Sequence, residues 1–254
     1  LVIGRAELGG CTLQRHWDIA AAAEADTTDP KGKAYKGKSL RTLLSQGTWD
    51  VVTLQQASLL SGDVQTYEPY LANLIALIKS IQPQAKIVIH QTWAYRSDAK
   101  AFGKIDGEKR AANDREMWEK SRAAYRSMAQ KFHLSVIPTG DGFRRMSTKP
   151  KWGYKKDESY NYAQPTPPAL PNQVHSLHVG YNWTKDGKLN FDANHANTAG
   201  CYLGSLIWYA VLFDTTPLKL SFVPEGVSPL MAKELKKVAW EVVKEGKKED
   251  KNYH

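Results

Sequence analysis

Asp192 and His195 stand three positions apart in NFDANHANTAG (190–200), directly ahead of an apolar helical pattern. A neutral imidazole is a serviceable general base near pH 7 when its tautomer is fixed and its protonated form is stabilised. A carboxylate accepting from one ring nitrogen does both, and leaves the other nitrogen for a nucleophile. On one short turn the two groups meet at small cost in chain entropy. The spacing D-x-x-H is a weak pattern taken alone. It equally fits an Asp that braces a turn beside a surface His.

A second group of candidates follows an apolar run in AKIVIHQTWAYR (85–96). His90 ends the run, as a binding group or as a hydrogen-bonded support. Trp93 and Tyr95 offer flat faces with polar edges, which suit sugar rings and equally suit a core. Arg96, Arg110 and Arg115 could hold a carboxylate or sulfate of an acidic glycan, or simply charge a helix surface. Trp17 reads as packing. A metal alternative uses HSLH: His175 and His178, with Asp192 and His195, would make a four-ligand zinc site and a bound hydroxide.

The elements that must carry these groups alternate. LVIGRAE (1–7) is a strand candidate running into Gly9-Gly10. SLRTLLSQ (39–46) reads as a helix capped by Ser39, and WDVVTLQQ (49–56) as a buried parallel strand. Leu71, Leu74, Ile75 and Ile78 have the spacing of an amphipathic helix over 68–81. A strand follows at 85–90, a helix at 108–132 with Trp118, Tyr125, Met128 and Phe132 on one stripe, and a strand at 134–138. Helices are expected at 198–213 and at 228–246, the latter with Met231, Leu235, Val238 and Val242 on one face. Such alternation predicts a three-layer α/β/α sandwich with a central, mainly parallel sheet in a single domain. Ligands collect beyond the carboxyl ends of such strands, which puts Gly9-Gly10, Gln55-Gln56, the HQTWAYR run and Gly140-Asp141 on one rim. Residues 149–190, rich in Tyr, Trp, Pro and Asn without period, read as a lid or substrate loop.

Bulk properties narrow the partners. The net charge of +9 over 254 residues admits a nucleic acid or an acidic substrate. No nucleic-acid motif accompanies the charge, and the Lys-rich tail interleaves Glu at helical spacing, so no nucleic-acid partner is expected. No apolar run approaches the roughly 18 residues that span a bilayer, so no membrane partner is expected either. Cys11 and Cys201 could be one disulfide or two thiols.

Four strings, GGCTLQRHW, WDVVTLQQAS, HQTWAY and DANHANTAGCYL, occur in an order that resembles the SGNH hydrolase superfamily, the GDSL-like esterases, in an uncharacterised bacterial branch. The resemblance spans residues 1–213, and SFVPEG (221–226) agrees with it. It implies that His195 is the general base, Asp192 its orienting partner, and the Gly10 N–H an oxyanion donor. Where the superfamily offers an Asn, this chain has LQQASLL, so the Gln55 or Gln56 amide would take that role. The nucleophile motif, a strand ending Gly-Asn/Asp-Ser, has no counterpart, since IGRA (3–6) carries Arg5 and Ala6 there. The first strand, its serine and the next helix would then lie upstream of Leu1, or the protein has lost its nucleophile. Ser58 and Ser61 are poor substitutes, because they follow a different strand. The implied activity is removal of O-acetyl or similar small esters from carbohydrate, with no cofactor and no metal. The competing class is a glycan-binding protein on the same scaffold. A secreted or periplasmic location is expected only because polymeric glycans are met there.

Overall fold

The structure, a computed structural model, describes residues 1–102 and 111–251. Its contacts divide the chain into two compact units, Leu1–Thr92 with Ala123–Val136, and Trp93–Arg122 with Ile137–His254. The fold class is α/β on a parallel sheet, as the alternation requires.

The first unit opens without a strand. Residues 1–7 are irregular, with Leu1, Val2 and Ile3 exposed, so the expected LVIGRAE strand does not form. Gly10 takes a φ of +60°, a conformation glycine adopts freely, and turns the chain into α1 (Leu13–Ala25). Thr12 caps this helix by accepting the Arg15 N–H. Alpha helix α2 (Leu40–Leu44) is capped by Ser39 as predicted. Strand β1 (Val51–Leu54) pairs in parallel with β2 (Lys86–His90), from Val51 opposite Lys86 to Leu54 opposite Ile89. Between them lies α3 (Tyr70–Ile81), whose Leu71, Leu74 and Ile78 are buried on the predicted face. The sheet order is β1-β2-β3, with β3 at Ser135–Ile137. Strand β1 is therefore an edge, and all four of its residues are only half-buried rather than enclosed. Tyr125 and Met128 of α4 (Asp114–Phe132) complete the apolar core of this unit.

In the second unit, Gly140 and Asp141 lie inside α5 (Thr139–Ser147) rather than on a rim loop. Asp141 accepts from the Trp118 indole N–H and pairs with Arg122. The excursion after α5 ends in a hairpin that the sequence reading did not foresee: β4 (His178–Trp183) and β5 (Leu189–Ala196), antiparallel. Asn197 then caps α6 (Thr198–Leu212), and α7 (Pro229–Lys251) buries Met231, Leu235, Val238 and Val242. Glu234, Glu241, Glu245 and Glu249 of α7 pair with Lys149, Arg145, Arg145 and Arg122, so this basic tail is a charged surface that also binds its neighbours. Both cysteines are free thiols, Cys11 buried and Cys201 exposed. Among the described residues no helix is long and apolar enough to cross a membrane.

Candidate active site

Asp192 and His195 lie in a bulge of β5, not in a turn at the helix entrance. His178 faces Ala196 and Gly180 faces Asp192, so β4 advances two residues while β5 runs four. The extra residues lift Ala193, Asn194 and His195 out of the ladder, the geometry by which bulges redirect a side chain. Gly180, opposite Asp192, leaves room for Gln173 and Arg96 to approach the β4 backbone. Its φ is +70°, and a Cβ there would stand 2.1 Å from Gln173 Oε1 and 2.2 Å from an Arg96 nitrogen.

Within the bulge, Asp192 Oδ1 accepts the N–H groups of Asn194 and His195 at 3.0 Å each. Its Oδ2 meets His195 Nδ1 at 2.8 Å. An ionised carboxylate only accepts, so Nδ1 carries the proton and the lone pair of a neutral ring sits on Nε2. Burial pushes the Asp192 carboxyl up, but the hydrogen bonds from the His195 backbone and ring and from the Asn194 N–H outweigh it. The carboxyl is held below its ordinary range. Asp192 is 26% exposed and His195 80%. Nε2 makes no hydrogen bond among the described residues. An oriented imidazole with its basic nitrogen open can accept a proton from whatever hydroxyl approaches it.

In the first unit the polar pair after β1 divides sharply. Gln56 is fully buried and used at both ends: Oε1 accepts from the Leu13 and Ala57 N–H groups, and Nε2 donates to the Thr66 carbonyl and hydroxyl. It is a bracket joining the start of α1 to the loop, and the expectation of an oxyanion amide at Gln56 is corrected. Gln55 is exposed. Its Oε1 accepts from His90 Nδ1 at 2.8 Å, while its NH2 makes no hydrogen bond among the described residues. His90 is a buried support for Gln55 and not a group that meets substrate. Burial lowers its pKa to about 4, so it stays neutral. The Gly10 N–H likewise makes no hydrogen bond among the described residues. Ser61 is buried, with its hydroxyl donating to the Ser58 carbonyl, so it offers no nucleophile.

The remaining candidates are structural. Arg96 is 2% exposed, paired through two bonds with Asp98 and bonded to Gln173. Its guanidinium lies 4.2 Å from the Tyr154 ring centre and 4.8 Å from that of Phe191. This enclosure corrects its assignment to a glycan. Tyr95 is buried against Met117 and Ala193, and Trp17 packs on the core of the first unit. Arg115 pairs with Glu119 on the α4 surface, and Arg110 lies outside the described residues. The zinc set is not assembled. Among the described residues no three His, Cys, Asp or Glu side chains gather as metal ligands would, and His178 Nε2–H donates to the Ala94 carbonyl at 3.0 Å. Burial lowers the His178 pKa to about 4.

Residues 1–140, more than half of the chain, match the domain of unknown function DUF4886. The chain belongs to the DUF4886 family. Its fold is similar to the crystal structure, at 1.50 Å resolution, of a DUF4886 family protein from Bacteroides uniformis ATCC 8492. The two are 20% identical with a TM-score of 0.68, over 93% of this chain and 80% of the other. No curated protein matches the chain. Gly10, Gln55 and His90 fall inside the residues that define DUF4886 membership, and the Asp192–His195 bulge falls beyond them.

The sequence reading of this DUF4886 chain did not anticipate the backbone ties of the bulge. The Trp93 indole N–H donates to the Asn194 carbonyl at 2.8 Å, and the Arg96 N–H donates to the Ala193 carbonyl at 3.0 Å. Trp93 stacks on Phe143 at 4.8 Å with 12° between planes, so one face and its only donor are already occupied. Gly180 was the legible signal, a lone glycine inside a strand-like run, which often marks a bulge or a close approach.

Proposed function

We propose that this protein is a serine esterase that removes O-acetyl or similar small ester groups from carbohydrate, with Asp192 and His195 as its acid–base pair. The observation that carries the reading is the 2.8 Å contact from His195 Nδ1 to Asp192 Oδ2, with Nε2 left open. The serine is the one that the resemblance to SGNH hydrolases implies upstream of Leu1.

In the proposed reaction the serine Oγ bonds to the ester carbonyl carbon as its proton passes to His195 Nε2. The tetrahedral adduct collapses with release of the sugar oxygen, which takes the proton from His195. Water then attacks the acyl-serine, gives its proton to the same nitrogen, and the carboxylic acid leaves as serine is restored. Asp192 holds the ring in the Nδ1–H form and stabilises the imidazolium. The same resemblance gives the Gln55 amide NH2 and the Gly10 N–H as donors to the carbonyl oxygen. The ester class follows from the resemblance.

A fluorophosphonate probe applied to the full-length protein is expected to label one serine, and labelling is expected to fall in Asp192→Ala. No labelling would remove the esterase reading. It would favour the second one, a glycan-binding protein on the same scaffold.

A further inference from the structure

Four backbone polar groups of the β5 bulge find partners outside the β4 ladder. The two N–H groups, of Asn194 and His195, are taken by Asp192 Oδ1. The two carbonyls, of Ala193 and Asn194, have left the β4 ladder and are taken by the segment after β2, through the Arg96 N–H and the Trp93 indole N–H. The first of these donors is main chain and persists whatever the side chain is. The second depends wholly on Trp93. The His195 ring, being largely in solvent, has no packing of its own to set its direction. Its aim therefore depends on the bulge backbone and on Asp192.

We infer that Trp93 is a positioning residue for the Asp192–His195 pair, acting through its indole N–H on the Asn194 carbonyl. This deepens the esterase reading and rests on it for any effect on turnover. The indole is itself braced. Phe143 lies against one face, and Phe143 and His178 meet in a T-shaped contact at 5.5 Å between ring centres. His178 in turn donates to the Ala94 carbonyl, next to Trp93. Residues of β4 and α5 thus pack beside the donor, while the hydrogen bond itself holds the bulge. An Nε1–H is the only hydrogen bond that an indole makes, so its loss cannot be compensated by another atom of the ring. The role differs from the sugar platform expected of Trp93, for which both a free face and a free edge would be wanted.

Trp93→Phe tests this, because it keeps a ring on Phe143 and deletes the donor. Long-range proton–nitrogen spectra of the His195 ring are expected to show a fixed Nδ1–H tautomer in the full-length protein. In Trp93→Phe they are expected to show tautomer averaging. Toward an aryl acetate, kcat is expected to fall about tenfold with KM little changed, as a small misplacement of a catalytic group would give. Phe143→Leu, which loosens the stack but keeps the donor, is expected to retain the fixed tautomer, and it serves as the folding control. A Trp93→Phe protein with the wild-type His195 signature would overturn the inference, as would a wild-type ring with its proton on Nε2. If the tautomer responds as expected while the wild-type protein hydrolyses nothing, the positioning role stands and the esterase reading falls.

Discussion

The loop after β1 and the bulge of β5 handle their polar groups in opposite ways. After β1, Gln56 is buried and its amide is consumed by structure, while the NH2 of its neighbour Gln55 makes no hydrogen bond among the described residues. In the bulge four backbone groups are held by Asp192, Trp93 and Arg96, and His195 Nε2 makes no hydrogen bond among the described residues. Each region thus leaves a polar group open, among the described residues, on a hydrogen-bonded frame. A binding group must be fixed, and it must also be unoccupied. Residue type says little about which of two adjacent glutamines meets both conditions.

Substitutions at those glutamines should separate the two conditions most strongly. Gln56→Ala removes a buried side chain that serves four partners, leaving several buried donors and acceptors unmet. It should cost about 3 kcal/mol of stability by denaturant titration. Gln55→Ala removes only the acceptor of the His90 Nδ1–H and should cost about 1 kcal/mol, less than Gln56→Ala, while lowering ester turnover about a hundredfold. Reversed results would mean that the bracket and the donor have been exchanged.

Both regions also lean on a neutral buried histidine, His90 under Gln55 and His178 beside Trp93. Each has its pKa lowered by burial from the ordinary 6.5 to about 4. The unfolded chain binds these protons more readily, so the stabilisation is complete above pH 6.5 and is lost as pH falls toward 4. The loss should be roughly 2–3 kcal/mol per histidine, read as a falling unfolding free energy across that window. Stability that is flat between pH 6.5 and 4.5 would show that neither ring is held neutral.

Much of the fold was legible because its helices and strands obey simple periods. The 68–81 stripe became Tyr70–Ile81, and the run at 85–90 became Lys86–His90. Helix α1 escaped notice because its sequence, LQRHWDIAAAAEA, folds through alanine propensity and a Thr12 cap rather than an apolar stripe. The β4–β5 hairpin escaped because a two-residue bulge destroys the alternation that announces a strand. The aromatic residues of 149–190 suggested a displayed surface, yet Tyr154 and Tyr181 face the Arg96 guanidinium. Spacing along the chain does not distinguish a ring that waits for a ligand from one that covers a buried cation. For the candidate site, D-x-x-H foretold the contact between Asp192 and His195, and the wrong local backbone.

The most direct test is the rate of aryl acetate hydrolysis by the full-length protein beside its His195→Ala variant, at equal folded concentration. Loss of the general base should lower kcat by about a thousandfold, within the range such groups contribute. Equal turnover in the two proteins would mean that the open imidazole on the β5 bulge is not the base.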